Sequence, residues 1–325
     1  HSERCKFRNI FKYLKISEIS NITIFQDSSP IKINYDNNFN ADSVVIRNKI
    51  NLINNELKID NSLIFCAGGI GNAHLALNLV PNVSSNTGKF LSDHPHIRAA
   101  KINSKEYLKY KKIFRPNVKN NISDIIGNEK NEEVAAVYKE NNTIAGVQLD
   151  YKLDPLRTLK NFFLRVPSSF LRKYLNLFVS IVTKLNGLFF KLGLIFGNYY
   201  KYSFEFFFSQ SQEESNRVFL DKEAVDEFGL KKVNINWEIS KKDQDNYNKI
   251  INSMIGKKGF LKYTDKENVF MPNFKNSGGC GLHPSCTTKM GNDEKNSVVD
   301  KNLKINSTKN IFICGSSVFP VNGIT

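Results

Sequence analysis

The hydrophobic pattern of residues 20–65 has the two-residue period of β-strands. Apolar and polar positions alternate in NITIF, IKINYD, DSVVIRNK and ELKID, and the continuous apolar run SLIFCA follows them. Asparagine-rich breaks separate these stretches, as the connections of hairpins do. The pattern therefore predicts a group of paired strands in this part of the chain.

A change of period after the last of these stretches predicts a strand, a tight turn and a helix. In SLIFCAGGIGNAHLALNLV the apolar strand runs into a glycine cluster, and apolar positions then recur at helical spacing. Pro81 is expected to end this helix, because proline has no N–H to donate. Further along, NIFICGSSVFP repeats the order of a buried strand and a small-residue turn.

The middle of the chain, between residues 100 and 270, mixes both periods. TIAGVQLDYKLDP and YYKYSFEFFFSQSQEESNRVFLD are typical of strands. DQDNYNKIINSMIGKKG predicts a helix with aspartate in its first turn and Gly259 beyond its last.

Residues 170–197 form the longest apolar segment, FLRKYLNLFVSIVTKLNGLFFKLGLIFG. Basic residues interrupt it, so no run approaches the roughly 18–20 uncharged residues that a membrane span needs. The segment predicts one or two amphipathic helices. Packing within the protein and peripheral contact with a membrane surface both remain open for them.

Composition indicates a globular protein. The chain has 325 residues of which 41% are hydrophobic, enough for one large or two intertwined globular domains. The formal charge of +15 comes from lysines scattered along the chain, which indicates a solvated surface, and we expect no nucleic-acid partner. The five cysteines are an odd and dispersed set, which favours reduced thiols. The compartment stays open, with the cytoplasm favoured.

The two glycine-containing turns are candidates for holding a nucleotide. AGGIGNA offers backbone N–H groups beside a helix N-terminus with no side chain to block a phosphate. It matches only part of the G-x-G-x-x-G pattern, because His74 stands in the place of the last glycine. Ligands of open α/β sheets sit beyond the carboxyl ends of strands, so the turn at Gly315 could share the same ligand. A turn needed only for backbone geometry is the alternative.

His283, in GGCGLHPSCTTKMG, has three candidate roles: metal ligand, catalytic base and buried structural residue. Cys280 and Cys286 flank it at equal spacing, but a structural zinc site needs four ligands. A base needs a pKa near the working pH, which imidazole has. In LSDHPHIR, His94 and His96 would face one side of an extended segment, either as metal ligands or in a polar loop. The chain lacks G-x-S-x-G, P-loop and H-E-x-x-H patterns, so hydrolase and NTPase functions lose their usual support.

The stretch HPSCTTKMGNDEKNSVVDKNLKINSTKNIFICGSSVFPVNGIT resembles the C-terminal signature of the glucose-methanol-choline (GMC) oxidoreductases. Upstream, LIFCAGGIGNAHLALNL resembles the family's strand, turn and helix on the adenine and pyrophosphate side of FAD, and LSDHPHI resembles the segment after it. ESNRVFLDKEAVDEFGLKKVNINWEIS resembles part of the family's substrate domain. The signature positions that match are His283, Thr287, Met290, Gly291, Val298, Val299, Asp300, Asn310, Gly315, Ser317 and Pro320.

The resemblance implies an α/β fold in which a Rossmann-like FAD-binding domain is interwoven with an α+β substrate domain built on an antiparallel sheet. Residues 1–100 would form the middle part of the FAD-binding domain, 101–277 the substrate domain, and 278–325 the return into the FAD-binding domain. FAD is the implied cofactor, and no metal is expected. The implied FAD-binding residues are Ala67, Gly68, Gly69, Gly315 and Ser316.

The implied activity is the oxidation of a CH–OH group in a small-molecule alcohol, with a sugar or polyol as the favoured substrate class. By resemblance, His283 removes the hydroxyl proton while a hydride passes from the carbinol carbon to flavin N5. The electron acceptor, whether oxygen, a quinone or a haem partner, stays open. The competing interpretation is a non-catalytic membrane-surface or binding module with a degenerate flavin fold.

Departures from the family pattern accompany the match. The family's first strand with G-x-G-x-x-G does not occur here, and the Asn or His that pairs with the catalytic histidine would follow Thr325. We therefore expect a C-terminal fragment of a longer chain. Pro30 stands where the family usually has a valine whose N–H contacts adenine, and Gly315 stands where many members have aspartate.

Overall fold

The computed structural model of the chain describes residues 21–102, 134–140, 143–153, 200–255 and 282–323. Within these ranges it contains three antiparallel sheets, one parallel strand pair and two α-helices. The amphipathic helices predicted for residues 170–197 and the position of Gly259 lie outside the described residues. The mixture of helices with antiparallel sheets confirms the predicted α/β class in its coarse form.

The first sheet has the order β1-β2-β3, formed by Ser28–Tyr35, Ala41–Asn48 and Asn54–Lys58. The period-two alternation is real in β2, whose Val44 and Ile46 are buried. Pro30 lies on the edge strand β1 beside a register shift, where a residue without an N–H is tolerated.

The strand predicted for NITIF is wrong, because residues 21–25 form no strand. Its apolar side chains, Ile22, Ile24 and Phe25, are all exposed. Alternation alone does not make a strand when no neighbouring segment pairs with the backbone and covers the apolar face.

The parallel pair consists of β4, Leu63–Phe65, and β11, Ile311–Ile313, which are in register from Leu63↔Ile311 onward. Helix α1, Gly68–Leu79, follows β4. The glycine cluster forms the first turn of this helix, where the sequence pattern predicted a separate tight turn before it. The helix ends before Pro81, as predicted.

The four-stranded sheet has the order β5-β8-β7-β6, with strands His96–Ile102, Val134–Glu140, Thr143–Leu153 and Tyr200–Phe208 as β5 to β8. The strands predicted for the two aromatic-rich stretches are thus confirmed. A hairpin of β9, Arg217–Val225, and β10, Lys231–Asn236, follows β8.

Helix α2, Lys241–Met254, packs on the four-stranded sheet and confirms the helix predicted there. Ser240 caps its N-terminus by accepting a hydrogen bond from the N–H of Asp243. Tyr247 stacks on Phe208 with ring centroids 4.2 Å apart, and its hydroxyl donates to the carbonyl of Ser209. In the described part of the chain, neither helix is long and apolar enough to cross a membrane.

Two large clusters of buried residues form the core. One joins the four-stranded sheet to α2, and the other joins the three-stranded sheet, the parallel pair and α1. A smaller cluster of Ala73, Leu91 and Val218 connects α1 to β9. The candidate site lies where the segments between these clusters meet.

Candidate active site

The two small-residue turns follow the paired strands β4 and β11, and the side chain of Asn72 connects them. Its side chain is fully buried, and its Oδ1 accepts a hydrogen bond from the N–H of Ala67 at 2.7 Å. Its Nδ2 donates to the carbonyl of Cys314 at 3.0 Å and to Ser317 Oγ at 2.8 Å. One amide therefore ties the start of α1 to the turn after β11. The sequence pattern does not predict this role for Asn72, whose only signal is a polar position on the apolar face of the helix.

Exposed backbone lines this edge of the parallel pair. Gly315 has φ 113°, a region that glycine occupies without strain, and Ala67 and Gly68 are exposed opposite it. Among the described residues no side chain caps the N-terminus of α1, and its first turn contains no acid. First-turn N–H groups lack partners within a helix and favour anions. The five residues predicted to bind a cofactor lie together here: Ala67, Gly68, Gly69, Gly315 and Ser316.

The segment that carries His283 packs directly against both turns. A Cβ at Gly69 would lie 2.0 Å from the carbonyl oxygen of Pro284, so backbone touches backbone at this point. The same carbonyl accepts a hydrogen bond from Ser316 Oγ at 2.8 Å. Thr287 Oγ1 donates to the carbonyl of Gly69. The position of His283 is therefore coupled to the backbone of both turns.

Other signature residues hold this segment from behind. Val298 and Val299 are fully buried, and the N–H of Met290 donates to the carbonyl of Val318 at 2.9 Å. The carboxylate of Asp300 accepts from the N–H of Lys304 and closes a tight turn. These positions act in packing and turn geometry.

Three imidazoles lie in a row that starts at His283. His283 is exposed, and its Nδ1 lies 2.5 Å from Nε2 of His94. Nδ1 of His94 lies 3.0 Å from Nε2 of His96, and Nδ1 of His96 lies 3.8 Å from Oε1 of Glu205. The prediction that His94 and His96 face the same side is confirmed. Their proximity to His283 was not predicted.

Asp93 holds the backbone of this row. Its Oδ1 accepts hydrogen bonds from the N–H groups of His94, at 2.7 Å, and His283, at 3.3 Å. Asn322 Nδ2 in turn donates to the carbonyl of Asp93 at 2.5 Å. One buried carboxylate thereby sets the relative position of two histidines that are far apart in sequence.

Gln210 connects the row to the segment that follows β10. It is buried, and its Oε1 accepts from the N–H of Asp93 at 3.1 Å and from Nε1 of Trp237 at 2.9 Å. Its Nε2 donates to the carbonyl of Glu238, and its backbone N–H donates to Asn322 Oδ1. The sequence gives no signal for this role beyond a glutamine that follows an aromatic strand.

The electrostatic environment keeps the middle imidazole neutral. The pKa of His94 is lowered to about 4, chiefly by burial; His96 and His283 also lower it, and Asp93 opposes them. His94 is therefore uncharged at neutral pH and has both a donor and an acceptor nitrogen available in the row.

The metal-ligand alternative for the histidines gains no support from the geometry. In residues 21–102, 134–140, 143–153, 200–255 and 282–323, no group of three or more His, Cys, Asp and Glu side chains is arranged to hold a metal ion. Cys286 is buried, and burial raises the pKa of its thiol, which disfavours the thiolate that a metal requires. Cys280 lies outside the described residues.

Solved structures with a similar fold include two oxidases and an FAD-dependent oxidoreductase. Pyridoxine 4-oxidase from Mesorbium loti has a TM-score of 0.56 and 12% identity over 98% of this chain. Formate oxidase from Aspergillus oryzae RIB40, whose structure concerns FAD modification, has a TM-score of 0.52 and 14% identity over 96% of this chain. An FAD-dependent oxidoreductase from Chaetomium thermophilum has a TM-score of 0.50 and 10% identity over 98% of this chain. At these identities the likeness shows the fold alone.

This chain spans 57% of the pyridoxine 4-oxidase, 59% of the formate oxidase and 60% of the Chaetomium protein. A search of curated proteins found no match. Residues 212–325 match the family model described as GMC oxidoreductase, which includes the signature segment. The family resemblance of the sequence is thereby confirmed over residues 212–325, which are similar to the C-terminal portion of the GMC oxidoreductases.

Proposed function

We propose that the protein is an FAD-dependent oxidoreductase that oxidises the CH–OH group of a small-molecule alcohol, with a sugar or polyol as the substrate class. The observation that carries this proposal is the position of His283. It is exposed, and the next residue, Pro284, packs on the two glycine turns. The candidate base is thus adjacent in sequence to a residue that contacts both turns of the candidate nucleotide site.

The residues at the edge fit a dinucleotide. Ala67, Gly68 and Gly315 expose backbone without long side chains, so a phosphate can approach the N–H groups of the first turn of α1. The positive end of the helix dipole favours that charge. Gly69 and Ser316 would complete the edge through the contacts of their backbone and hydroxyl with Pro284.

The pairing of β4 with β11 supports the interwoven arrangement that the family resemblance implies. Leu63 and Ile311 are neighbours, although most of the chain lies between them. In this arrangement residues 1–100 and 278–325 share the FAD-binding domain, and residues 101–277 form the substrate domain between them.

In the proposed reaction His283 accepts the proton of the substrate hydroxyl as the C–H bond breaks. FAD, when bound, supplies the acceptor for the hydride at its N5. General-base catalysis of this kind contributes about 10²- to 10⁴-fold to the rate. The contacts of Asp93 with the backbone of His283 and His94 keep the base in place before substrate arrives.

The experiment is anaerobic mixing of the FAD-loaded protein with D-glucose, D-sorbitol and pyridoxine, followed by flavin absorbance. Pyridoxine is included because one structural relative oxidises it. We expect His283→Ala to keep the bound-flavin spectrum and to reduce its flavin about 10²- to 10⁴-fold more slowly than wild type. His74→Ala is the matched control, because His74 bonds to the carbonyl of Lys231, away from the row; its rate should stay at the wild-type value.

Two outcomes would contradict the proposal. A wild-type rate of flavin reduction in His283→Ala would remove the assignment of the base. A protein that stays colourless after incubation with FAD would remove the function itself.

A further inference from the structure

His94 and His96 each use a different nitrogen on each of their two sides. His94 approaches His283 with Nε2 and His96 with Nδ1, and His96 approaches His94 with Nε2 and Glu205 with Nδ1. We propose that His94, His96 and Glu205 form a proton relay behind His283, which sets the resting tautomer of the base and moves the proton it takes to His96. The proposal rests on the proposed role of His283 as base.

The tautomers follow from the group at the far end. A carboxylate has no proton to donate, so the nitrogen of His96 that faces Glu205, Nδ1, carries the ring proton. Nε2 of His96 then has the lone pair and accepts from Nδ1–H of His94. Nε2 of His94 accepts from Nδ1–H of His283 in the same way. The ring proton of His283 is thereby held on Nδ1, and its Nε2 is the basic nitrogen.

The contact between His96 and Glu205 is electrostatic. At 3.8 Å the distance from Nδ1 to Oε1 is too long for a hydrogen bond. The two side chains are only 26% and 14% exposed, so water screens the attraction between the carboxylate and the N–H little. The attraction becomes stronger when His96 is an imidazolium.

The relay transfers one positive charge from His283 to His96, and each proton that one group loses is gained by the next. The substrate O–H bond breaks and an N–H bond forms at Nε2 of His283. The Nδ1 proton of His283 passes to Nε2 of His94, and the Nδ1 proton of His94 passes to Nε2 of His96. His96 then carries two protons and a positive charge beside Glu205, while His283 and His94 are neutral again.

His94 is suited to pass a proton and unsuited to keep it. It is buried, and the charged or titratable groups that face it are Asp93, His96 and His283. Their combined effect with burial disfavours its charged form. In the relay the proton therefore passes on to His96, whose side chain is 26% exposed and lies beside the carboxylate of Glu205.

The first test measures the tautomers directly, by ¹⁵N NMR of the protein labelled at its five histidines. Long-range ¹H–¹⁵N correlations show which ring nitrogen carries the proton, and single substitutions assign the signals. At pH 7.5 we expect the Nδ1–H form for His94, His96 and His283, which is the less common form of free histidine. A spectrum in which His283 is protonated on Nε2 would overturn the relay.

The second test changes the end of the row. Glu205→Gln removes the negative charge that holds the proton on Nδ1 of His96, so we expect the Nδ1–H population of His283 to fall. Flavin reduction by the fastest alcohol of the panel should slow about ten- to hundredfold, with an unchanged apparent substrate affinity. Glu205→Asp keeps a carboxylate and should restore the Nδ1–H spectrum. Glu214→Gln, on the surface beside Lys89, is the matched control and should match wild type.

The two proposals fail separately. Wild-type tautomers and rates in Glu205→Gln would overturn the relay and leave the oxidoreductase function intact. Conversely, absence of flavin reduction by the wild-type protein would count against the function, while the tautomers still decide the relay. If Glu205→Gln does not fold, the wild-type spectrum alone carries the test.

Discussion

Asn72 and Gln210 are two buried amides on different sides of the site. Each satisfies main-chain groups with both ends of its side chain, since an amide offers a donor and an acceptor. Their partners include Cys314 and Asp93, at sequence separations of 242 and 117 residues. Nothing in the local sequence shows such a partner, which is why neither amide was predicted.

At the same scale, His94→Gln should make the stability of the protein less dependent on pH. The pKa of His94 is about 4 in the folded protein against 6.5 unfolded, so between these values the unfolded chain binds more protons. The neutral histidine therefore contributes stability above pH 6.5 that is lost as the pH falls toward 4.

We expect wild type to lose about 2 kcal/mol more than His94→Gln between pH 7 and pH 5, from the difference of about 2.5 pKa units. Urea unfolding at the two pH values measures the free energies. Equal losses in the two proteins would show that His94 does not titrate in this way.

Helix α1 and the segment after His283 meet at the scale of elements. The carbonyl of Pro284 approaches Gly69 so closely that no Cβ fits between them. The sequence pattern predicted the strand and the helix, but it placed the glycines in a separate turn between them. Gly69 is helical and small because another segment lies against it, and that segment comes from the far part of the chain.

Gly69→Ala should destabilise the protein by about 1–3 kcal/mol, because the added Cβ forces α1 and the Pro284 segment apart. Alanine would otherwise favour a helix by about 1 kcal/mol. Gly68→Ala is the comparison, since its Cβ meets no atom within 4 Å but its φ of 77° strains an L-residue by about 1–2 kcal/mol.

Thermal unfolding of both variants, with flavin retention measured by absorbance, distinguishes the two causes. Gly69→Ala should also lose FAD more readily, because the edge of the site moves. If Gly69→Ala is as stable as wild type, the close packing described at Pro284 is wrong.

Across the whole molecule, Asn310 joins the three-stranded sheet to the strand β11. Its side chain accepts from the N–H of Ala41 at 2.8 Å and donates to the carbonyl of the same residue at 2.9 Å, a sequence separation of 269 residues. Together with the pairing of Leu63 and Ile311, these two hydrogen bonds hold the C-terminal strand β11 against the first part of the chain.

Asn310→Ala should lower the free energy of unfolding by about 2–4 kcal/mol, because both main-chain groups of the fully buried Ala41 lose their partner. Asn302→Ala, at an exposed position of the nearby turn, should change it by less than about 0.5 kcal/mol. Urea unfolding of the two variants at pH 7.5 measures the difference. Equal stabilities would show that the bridge to Ala41 does not stabilise the fold.

The sequence by itself determined local elements and the family resemblance of residues 212–325. Period-two stretches predicted strands such as β2 and β7, and the helical spacing of apolar positions predicted α1. The ordered signature around His283 carried the GMC resemblance. NITIF shows the limit of a local pattern, because its residues alternate but form no strand and pair with none of the described strands. Only the tertiary structure decided that His94 and His96 stand behind His283 and that Glu205 ends their row. The physical reason is that apolar periodicity is a property of neighbouring residues, whereas hydrogen bonds between buried polar groups depend on which distant segments the folded core brings into contact.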